Sequence, residues 1–390
     1  MKILVFTHLS NFSGGANRSL LSILEGLKKA GHKIEVVLPR KAGELNTALT
    51  KVGIPWIYCR YYRMGAKRNK GIAKLISYTI LYGKLLHHYF ASKCVLRKIH
   101  DEKYDIVYTN TILPYIGLFV SQSLHIPNVI HDRESLISDK IVQIKNFDKF
   151  LYKHANKIIV ISNDLKQQWE KKGYKNNIVL VSNGIPIQHV VRAKQDNIED
   201  GFNILMTAQI ASMKHHLDAL EALTILKDRN FNDIYLIFAG SEGDKVDRMY
   251  RKQLDQFISD KKLGNNVRFL GEIENMGMLR SKMHVELMCN PTEPFGRVTV
   301  EGMRSGLVVI GVKSGGTLDI INDNKNGLFY KKGNILDLVN KIEKVYSNKE
   351  MRMRIADYAF KYSKHHFTIQ ANVNHVEKVL LNAIHKYQEN

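Results

Sequence analysis

The sequence predicts an α/β protein that contains two Rossmann-like, doubly wound parallel-sheet domains. Short β-rich apolar runs alternate with amphipathic helical runs from one end of the chain to the other, which is typical of parallel strands joined by crossover helices. The alternation restarts after a polar stretch at residues 192–201. The chain has 390 residues, enough for two domains of ordinary size.

The first half of the chain contains six candidate strands. They are Lys2–Thr7, Lys33–Leu38, Asp105–Thr109, Asn128–His131, Lys157–Ser162 and Ile178–Ser182. Residues 16–30 are predicted to form the first helix, because Leu20, Leu24 and Leu27 fall on one face. Gly31 then ends that helix.

The second half repeats the pattern with five candidate strands. They are Phe202–Thr207, Ile234–Ala239, Val267–Leu270, Val285–Cys289 and Leu307–Val312. The last part of the chain has helical periodicity without clear strands. We therefore expect an N-terminal domain over residues 1–190 and a C-terminal domain over residues 200–365.

Composition limits the cellular setting and the partners. The chain has 58 basic and 37 acidic residues, a net charge of +21, which attracts nucleic acid, phosphorylated substrates or an anionic membrane. Its three cysteines (Cys59, Cys94 and Cys289) are an odd number without metal-ligand spacing, which indicates a reduced, cytoplasmic setting. No uncharged apolar stretch reaches the ~20 residues of a spanning helix, so we expect a soluble or peripheral protein.

Residues 60–98 are strongly basic. They contain ten Lys or Arg and no acidic residue, and apolar or small residues recur within them at helical spacing: Ile72, Leu75, Ile76, Thr79, Tyr82, Leu86 and Phe90. A basic amphipathic helix of this kind binds an anionic membrane surface, and Lys67, Arg68, Lys70 and Lys74 are the candidate contacts. The alternatives are an ordinary helix that packs the apolar stripe on the first sheet, or a nucleic-acid site. No recognised nucleic-acid motif accompanies the charge, so we favour the membrane, on the inner face of the plasma membrane.

Two carboxylates follow the buried strand at residues 285–289. Pro291 and Pro294 end that strand, so Glu293 falls in a loop and Glu301 lies about one turn into the next helix. Ligands bind at the carboxyl edge of a parallel sheet, and a helix N-terminus there binds phosphate. The arrangement suits a sugar nucleotide.

This segment resembles a known family. Glu293 and Glu301 have seven residues between them and flank the Phe295-Gly296 turn, and this pattern resembles the signature of retaining glycosyltransferases of family GT4, which have the GT-B fold. The resemblance implies that Glu301 binds the ribose of the donor. It implies that Glu293, with the backbone amides of Phe295 and Gly296, orients the transferred sugar. Weaker matches extend over roughly residues 1–365, and in GT-B proteins the final helix, here residues 366–390, returns to the N-terminal domain.

The resemblance assigns further donor contacts in the second domain. Lys214 matches a lysine that faces the diphosphate, and a cation there offsets the charge that develops on the leaving group. Gln209 stands where the family has an arginine, and His215 where it has a glycine. Arg297 is a candidate to replace the missing cation. Ile273 closes a stretch whose backbone meets the nucleotide base in the family.

In the first domain the resemblance points to three residues. Gly15, in the Ser13-Gly14-Gly15 turn, is expected to face the diphosphate, although tight packing explains a glycine pair equally well. Arg18 either holds an anionic acceptor or is a surface charge. His131 ends a buried strand and is expected to contact the donor sugar, with a purely structural histidine as the alternative.

The resemblance as a whole implies a hexosyltransferase-type retaining glycosyltransferase. The donor is expected to be a UDP- or GDP-linked sugar, with no cofactor and no metal, since neither an Asp-x-Asp pair nor a metal-ligand spacing occurs. The acceptor is expected to be a glycan or a lipid-linked molecule in bacterial surface polysaccharide assembly. Two alternatives are a nucleotide-sugar epimerase and a non-catalytic GT-B protein. The second is favoured by Gln209 and by Asp319, which stands where a Gly-Gly turn normally continues to Glu.

Overall fold

The computed structural model describes residues 1–12, 15–67, 72–99, 102–134, 141–142, 147–186, 190–195, 201–243 and 245–389, without the side chains of residues 66, 67, 72–74, 141, 142, 147 and 148. The chain forms two compact units. Unit 1 contains Met1–Gly184 and Ile369–Asn390, and unit 2 contains Ile185–Thr368. The chain thus enters unit 2 before the polar stretch at residues 192–201.

Unit 1 is built on a parallel sheet. Its strands are β1 (Lys2–Thr7), β2 (Lys33–Leu38), β3 (Trp56–Tyr58), β4 (Ala66–Lys67), β5 (Ile106–Asn110), β6 (Asn128–Asp132), β7 (Ile141–Val142), β8 (Lys157–Val160) and β9 (Ile178–Leu180). Seven of them form the sheet in the order β3-β2-β1-β5-β6-β8-β9, and β4 pairs with β7 separately. All six strands that the sequence predicts in this half are present, and β3 is an edge strand that the sequence analysis missed.

The helices of unit 1 cover this sheet. They are α1 (Gly15–Lys29), α2 (Glu44–Lys51), α3 (Ile72–Lys98), α4 (Ile116–Leu124), α5 (Phe147–His154) and α6 (Asn163–Lys171). Helix α1 buries Leu20, Leu24 and Leu27 completely, as their spacing predicts. These side chains pack on β1 and β2 within one apolar core.

Unit 2 is a second parallel sheet with its own helices. Its strands are β10 (Phe202–Thr207), β11 (Ile234–Ala239), β12 (Val267–Phe269), β13 (Val285–Met288), β14 (Val308–Val312) and β15 (Leu328–Tyr330), in the order β12-β11-β10-β13-β14-β15. Its helices are α7 (His216–Asp228), α8 (Lys245–Asp260), α9 (Met276–Arg280), α10 (Arg297–Arg304), α11 (Ile335–Ser347) and α12 (Lys349–His366). The five predicted strands of this half are confirmed. Two parallel Rossmann-like sheets are the architecture that the sequence predicts.

The last helix, α13 (Ile369–Gln388), is part of unit 1. Its Val376 and Leu380 side chains are fully buried in the core that α1 also enters. The two helices approach closely at Gly26, where a Cβ atom would lie 2.4 Å from Cγ2 of Val373. Asn372 donates a hydrogen bond to the carbonyl of Ser182 at 2.7 Å, which fixes the helix beside the end of β9.

Candidate active site

The loop after β13 is held by a glycine turn behind it. Gly316 donates its N–H to the carbonyl of Glu293 at 2.8 Å, and Ser314 Oγ donates to the carbonyl of Pro291 at 2.7 Å. A Cβ atom on Gly316 would lie 2.5 Å from Cα of Phe295, so no larger residue fits there. Gly296 has φ 101°, the left-handed conformation that glycine tolerates. It turns the chain directly into α10.

Glu293 and Lys214 are in contact in unit 2. Lys214 lies in a short 3₁₀ turn before α7, and its Nζ is 3.1 Å from Oε2 of Glu293. The same oxygen accepts a hydrogen bond from Nδ2 of Asn290 at 2.8 Å. Asn290 is buried, and its Oδ1 accepts from the N–H and the hydroxyl of Thr292. Asn290 therefore orients Glu293, a role for which the sequence gives no signal beyond its place in the loop.

Glu301 is held by two arginines. Arg280, at the end of α9, places Nη2 3.1 Å from Glu301 Oε2, and its Nε is 2.8 Å from Oε2 of Glu286. Arg297, one turn before Glu301 on α10, places Nη2 3.5 Å from Oε1. The sequence gives no signal for the Arg280–Glu286 pair, because Glu286 lies inside an apolar strand pattern.

The Arg280–Glu286 pair is buried at the base of this cluster. Arg280 is 5% exposed and Glu286 is fully buried on β13. Burial lowers the pKa of Arg280, but the charges of Glu286 and Glu301 outweigh it and raise that pKa above its usual value. Burial raises the pKa of Glu286, and the charge of Arg280 opposes this shift. The arginine is thus a permanent cation beneath Glu301.

The other predicted donor contacts of unit 2 lie on neighbouring loops. Gln209 follows β10 and donates from Nε2 to Oδ2 of Asp247 at 2.8 Å. His215 has φ 59°, which explains why a glycine suits this position. Ile273 is half-buried and packs against the small core beneath β10 and β11. The structure brings Arg297 to Glu301, 3.5 Å from its Oε1.

In unit 1 the turn after β1 is organised by a buried asparagine. Asn17 accepts from the hydroxyl of Thr7 at 2.7 Å and donates to the carbonyls of Leu9 and Asn11. Gly15 begins α1 in this turn, while Ser13 and Gly14 lie outside the described residues. Arg18 is exposed. Its guanidinium lies over the ring of Phe12, 5.7 Å from the centroid.

His131 is fully buried in a polar cluster at the carboxyl edge of the unit 1 sheet. Its Nδ1 lies 2.6 Å from the hydroxyl of Tyr108 and 3.2 Å from Nη2 of Arg133. Arg133 also donates to Asn110 at 2.7 Å and to Asn183 at 2.5 Å. Burial, and then the charge of Arg133, lower the pKa of His131 well below its usual value. The imidazole is therefore neutral at physiological pH.

Two acidic residues flank Arg133. Asp132 is buried and accepts from the indole of Trp169 at 2.9 Å, and burial raises its pKa to about 6. Burial and the neighbouring charge of Asp132 raise the pKa of Glu134 to about 8. This loop therefore carries two buried acidic groups in addition to His131, the one residue of the loop for which the sequence predicts a role.

The basic segment exposes its apolar residues. On α3, Leu75 is 70%, Leu86 58% and Phe90 61% exposed, and Ile76, Ile80, Tyr82 and Tyr89 are exposed as well. The side that packs on unit 1 carries Ser77, His88 and Ser92 among its buried residues. The alternative in which this stripe packs on the sheet is therefore wrong. Arg68 and Lys70 lie outside the described residues, and so do the side chains of Lys67 and Lys74.

The described residues contain neither a candidate membrane span nor a candidate metal-binding cluster. None of the helices in these ranges combines the length and apolar character that crossing a bilayer requires. In the same ranges, no group of three or more His, Cys, Asp or Glu side chains is placed to hold a metal ion.

Family models match almost the whole chain. The model described as "Glycosyltransferase Family 4" matches residues 13–189, and the model described as "Glycosyl transferases group 1" matches residues 188–362. The second match contains the cluster of Lys214, Glu293 and Glu301. The first contains His131.

Relatives and solved structures agree with these models. An uncharacterized glycosyltransferase of Methanocaldococcus jannaschii is 26% identical over 272 residues, 68% of this chain and 72% of the relative. The alpha-monoglucosyldiacylglycerol synthase of Acholeplasma laidlawii is 24% identical, with 86% of both chains covered. The crystal structure of Anabaena HepE in complex with UDP-glucose superposes with a TM-score of 0.78 at 22% identity, covering 98% of this chain and 100% of that one. The fold is that of the GT-B glycosyltransferases.

Proposed function

The chain belongs to glycosyltransferase family 4, and we propose that it is a retaining enzyme that transfers a sugar from a UDP- or GDP-linked donor to a membrane-proximal acceptor. That it is a glycosyltransferase follows from the family; the donor, the stereochemistry and the acceptor are the proposal. The observation that carries it is the cluster in unit 2, where the Lys214–Glu293 contact and the Arg280–Glu301 contact lie on the loops and helices that follow the strands.

In the proposed donor complex each of these residues has one role. Glu301 accepts hydrogen bonds from the ribose hydroxyls, and Lys214 binds the diphosphate. Glu293 and the backbone amides at Phe295 and Gly296 orient the transferred sugar. The 3.1 Å Lys214–Glu293 contact supports this assignment, since it places the cation beside the carboxylate that faces the transferred sugar, as a sugar joined to a diphosphate requires. UDP and UDP-glucose occur in the complexes of the structural neighbour HepE.

The proposed reaction retains the configuration of the sugar. In this mechanism the acceptor hydroxyl attacks from the side that the diphosphate leaves, and a phosphate oxygen takes its proton. Lys214 and the N-terminus of α10 stabilise the negative charge that grows on the diphosphate. Gln209 contributes a hydrogen-bond donor but no charge at the position where the family has an arginine.

A direct test uses donor binding and turnover together. UDP- and GDP-sugars are titrated calorimetrically against the wild type, Lys214→Ala, Glu301→Ala and Glu293→Ala. We expect the first two variants to lose affinity and Glu293→Ala to keep affinity and lose turnover. Unchanged affinity in the first two variants contradicts the site. Incubation with donor alone, followed by product analysis, separates transfer from the epimerase alternative, which needs no acceptor.

We also propose that α3 docks on an anionic membrane surface. Among the described side chains of this helix, seven large apolar or aromatic ones are exposed, namely Leu75, Ile76, Ile80, Tyr82, Leu86, Tyr89 and Phe90. Lys93 and Arg97 are exposed further along the helix, and basic residues near apolar ones are what an anionic bilayer interface attracts. One relative is named for a glucosylated diacylglycerol, which fits an acceptor that lies in a membrane.

Liposome sedimentation tests this surface. Leu86→Ser with Phe90→Ser removes two of the most exposed apolar side chains, and Leu336→Ser with Leu381→Ser is the matched control, since those leucines are 54% and 47% exposed elsewhere. Burying one such side chain contributes about 1.5–3 kcal/mol, so the first pair should weaken binding to anionic liposomes at least about tenfold. Equal binding by both pairs rejects the proposal. Concentration-dependent dimers that only the first pair disrupts would assign the surface to a second copy of the chain.

A further inference from the structure

The hydrogen-bond partners of His131 determine which ring nitrogen carries its proton. Nδ1 lies 3.2 Å from Nη2 of Arg133 and 2.6 Å from the hydroxyl of Tyr108. A guanidinium has only donors, so Nδ1 accepts from Arg133 and carries no hydrogen. The hydrogen of the neutral ring is then on Nε2, and the Tyr108 hydroxyl also donates to Nδ1.

The Nε2 atom of His131 is the unusual end of this ring. It is buried and has no hydrogen-bond partner within the part of the chain that the structure describes, and the residue as a whole is fully buried. A buried N–H without a partner destabilises the fold. Such a donor in the edge of a parallel sheet, where ligands bind, is satisfied when a ligand oxygen reaches it.

Arg133 is itself held rigidly in this cluster. Its Nε donates to Asn110 Oδ1 at 2.7 Å and its Nη1 to Asn183 Oδ1 at 2.5 Å. Asn110 ends β5 and Asn183 follows β9, so two other strand ends fix the guanidinium. Arg133 is 5% exposed. A planar guanidinium fixed at three atoms does not turn away from His131.

We propose that Arg133 is a positioning residue that locks His131 as a neutral Nε2–H donor, which holds an oxygen of the bound sugar and never acts as a base. This rests on the proposed function of the site. In this state His131 cannot take a proton from the acceptor, because the Nδ1 lone pair is engaged and Nε2 already carries hydrogen. The acceptor's proton must leave by another route, such as a phosphate oxygen of the donor.

Four ionisable groups lie beside His131, namely Tyr108, Arg133, Asp132 and Glu134, and burial and the charge of Asp132 raise the pKa of Glu134 to about 8. Burial raises the pKa of Tyr108, which stays protonated, and Arg133 is permanently charged. Asp132 is directed to Trp169 and to the N–H of Glu134. None of these groups offers Nε2 an acceptor, so the ring state depends on Arg133.

The lock is tested by NMR of the full-length chain labelled with ¹⁵N-histidine. We expect the wild type to show His131 as the neutral Nε2–H tautomer from pH 5.5 to 7.5. A wild-type His131 that carries its proton on Nδ1, or is charged at neutral pH, overturns the proposal. This readout needs no activity. If His131 is the neutral Nε2–H tautomer but the protein turns over no donor, the role of Arg133 stands and only the proposed function is refuted.

Kinetic variants test the consequence for catalysis. Arg133→Met leaves the Tyr108 hydroxyl as the partner of Nδ1, and because a hydroxyl accepts as well as donates, the proton can move to Nδ1 and kcat/KM should fall at least about tenfold. Burial is the larger cause of the lowered pKa of His131, so the ring should stay neutral in both proteins, and a ¹⁵N-histidine spectrum in which the variant keeps the Nε2–H tautomer of the wild type overturns the proposal. His131→Gln keeps an N–H donor and should retain at least about tenfold more activity than His131→Ala. Equal loss of activity in both His131 variants would assign His131 a base or a purely structural role. This comparison can be made even if Arg133→Met does not fold.

Discussion

Replacing Arg280 by Met should have two separable effects, one on stability and one on nucleotide binding. Met matches the length of the arginine stem without its charge, so the substitution leaves Glu286 buried without its cation and Glu301 without its 3.1 Å contact. Removing one partner of a buried ion pair costs about 3–5 kcal/mol. We expect the free energy of unfolding of unit 2 to fall by roughly this amount and that of unit 1 to stay unchanged.

The pH dependence of this loss follows from Glu286. Burial already raises its pKa, and Arg280 opposes the shift, so the variant should raise the pKa further. A carboxyl whose folded pKa exceeds its unfolded value of about 4.3 binds its proton more tightly in the folded state. Its contribution to stability is present below that value and is lost as pH rises through the folded pKa. The stability of Arg280→Met should therefore be closer to that of the wild type at pH 5 than at pH 8.

Hydrogen exchange with mass spectrometry measures both units in one experiment. Peptides that cover β13 and α10 should exchange faster in Arg280→Met, while peptides that cover β1 should not change. Adding Glu286→Gln removes the unpaired charge and should recover part of the protection at pH 8, but not the nucleotide affinity, because Glu301 still lacks its arginine. Equal protection at pH 5 and pH 8, or full recovery of affinity in the double variant, would refute this reasoning.

Three further predictions concern the loops around the donor. Lys214→Ala should raise the Kd for UDP by about 10- to 100-fold in calorimetry, since a charge-assisted hydrogen bond contributes about 1.5–3 kcal/mol, and an unchanged Kd would contradict its role. Gly316→Ala should destabilise unit 2 by about 1–3 kcal/mol through its clash with the Phe295 backbone, whereas Gly264→Ala, which meets no neighbour within 4 Å, should be neutral in the same urea unfolding. His215→Gly should stabilise the chain by about 1 kcal/mol, because it relieves a φ of 59°, and a loss of stability would show that the 3.3 Å contact with Asp218 outweighs the strain.

The apolar runs of the sequence predict most of the strands in the two sheets. Lys2–Thr7, Lys33–Leu38, Phe202–Thr207 and Ile234–Ala239 have the bounds that their apolar runs predict, because fully buried parallel strands are apolar throughout. Trp56–Tyr58 was missed. It is a three-residue edge strand with half-buried side chains, too short to show a pattern.

Helix α3 shows where periodicity stops being informative. The spacing of its apolar residues predicts a helix but not which face is covered. Unit 1 covers the face with His88, whose ring accepts the Tyr115 N–H and contacts the carbonyl of Tyr62. His88 is thus satisfied by backbone groups from other segments, which no local pattern reveals.

The site residues that sequence reasoning missed all act through another residue. Asn290 holds Glu293, Arg280 holds Glu301, and Arg133 holds His131. Each belongs to a different segment or a neighbouring turn, and its role depends on side-chain direction. Lys214 and Glu293 were identified by resemblance, and their contact across 79 positions of the sequence is visible only in the fold.

A crystal structure of the full chain with UDP or a UDP-sugar tests the central claim most directly. We predict that the ribose hydroxyls lie on the Glu301 carboxylate and that the Nζ of Lys214 has moved from Glu293 to a diphosphate oxygen. A nucleotide bound away from these side chains, or a Lys214–Glu293 pair left intact beside bound diphosphate, would contradict the account.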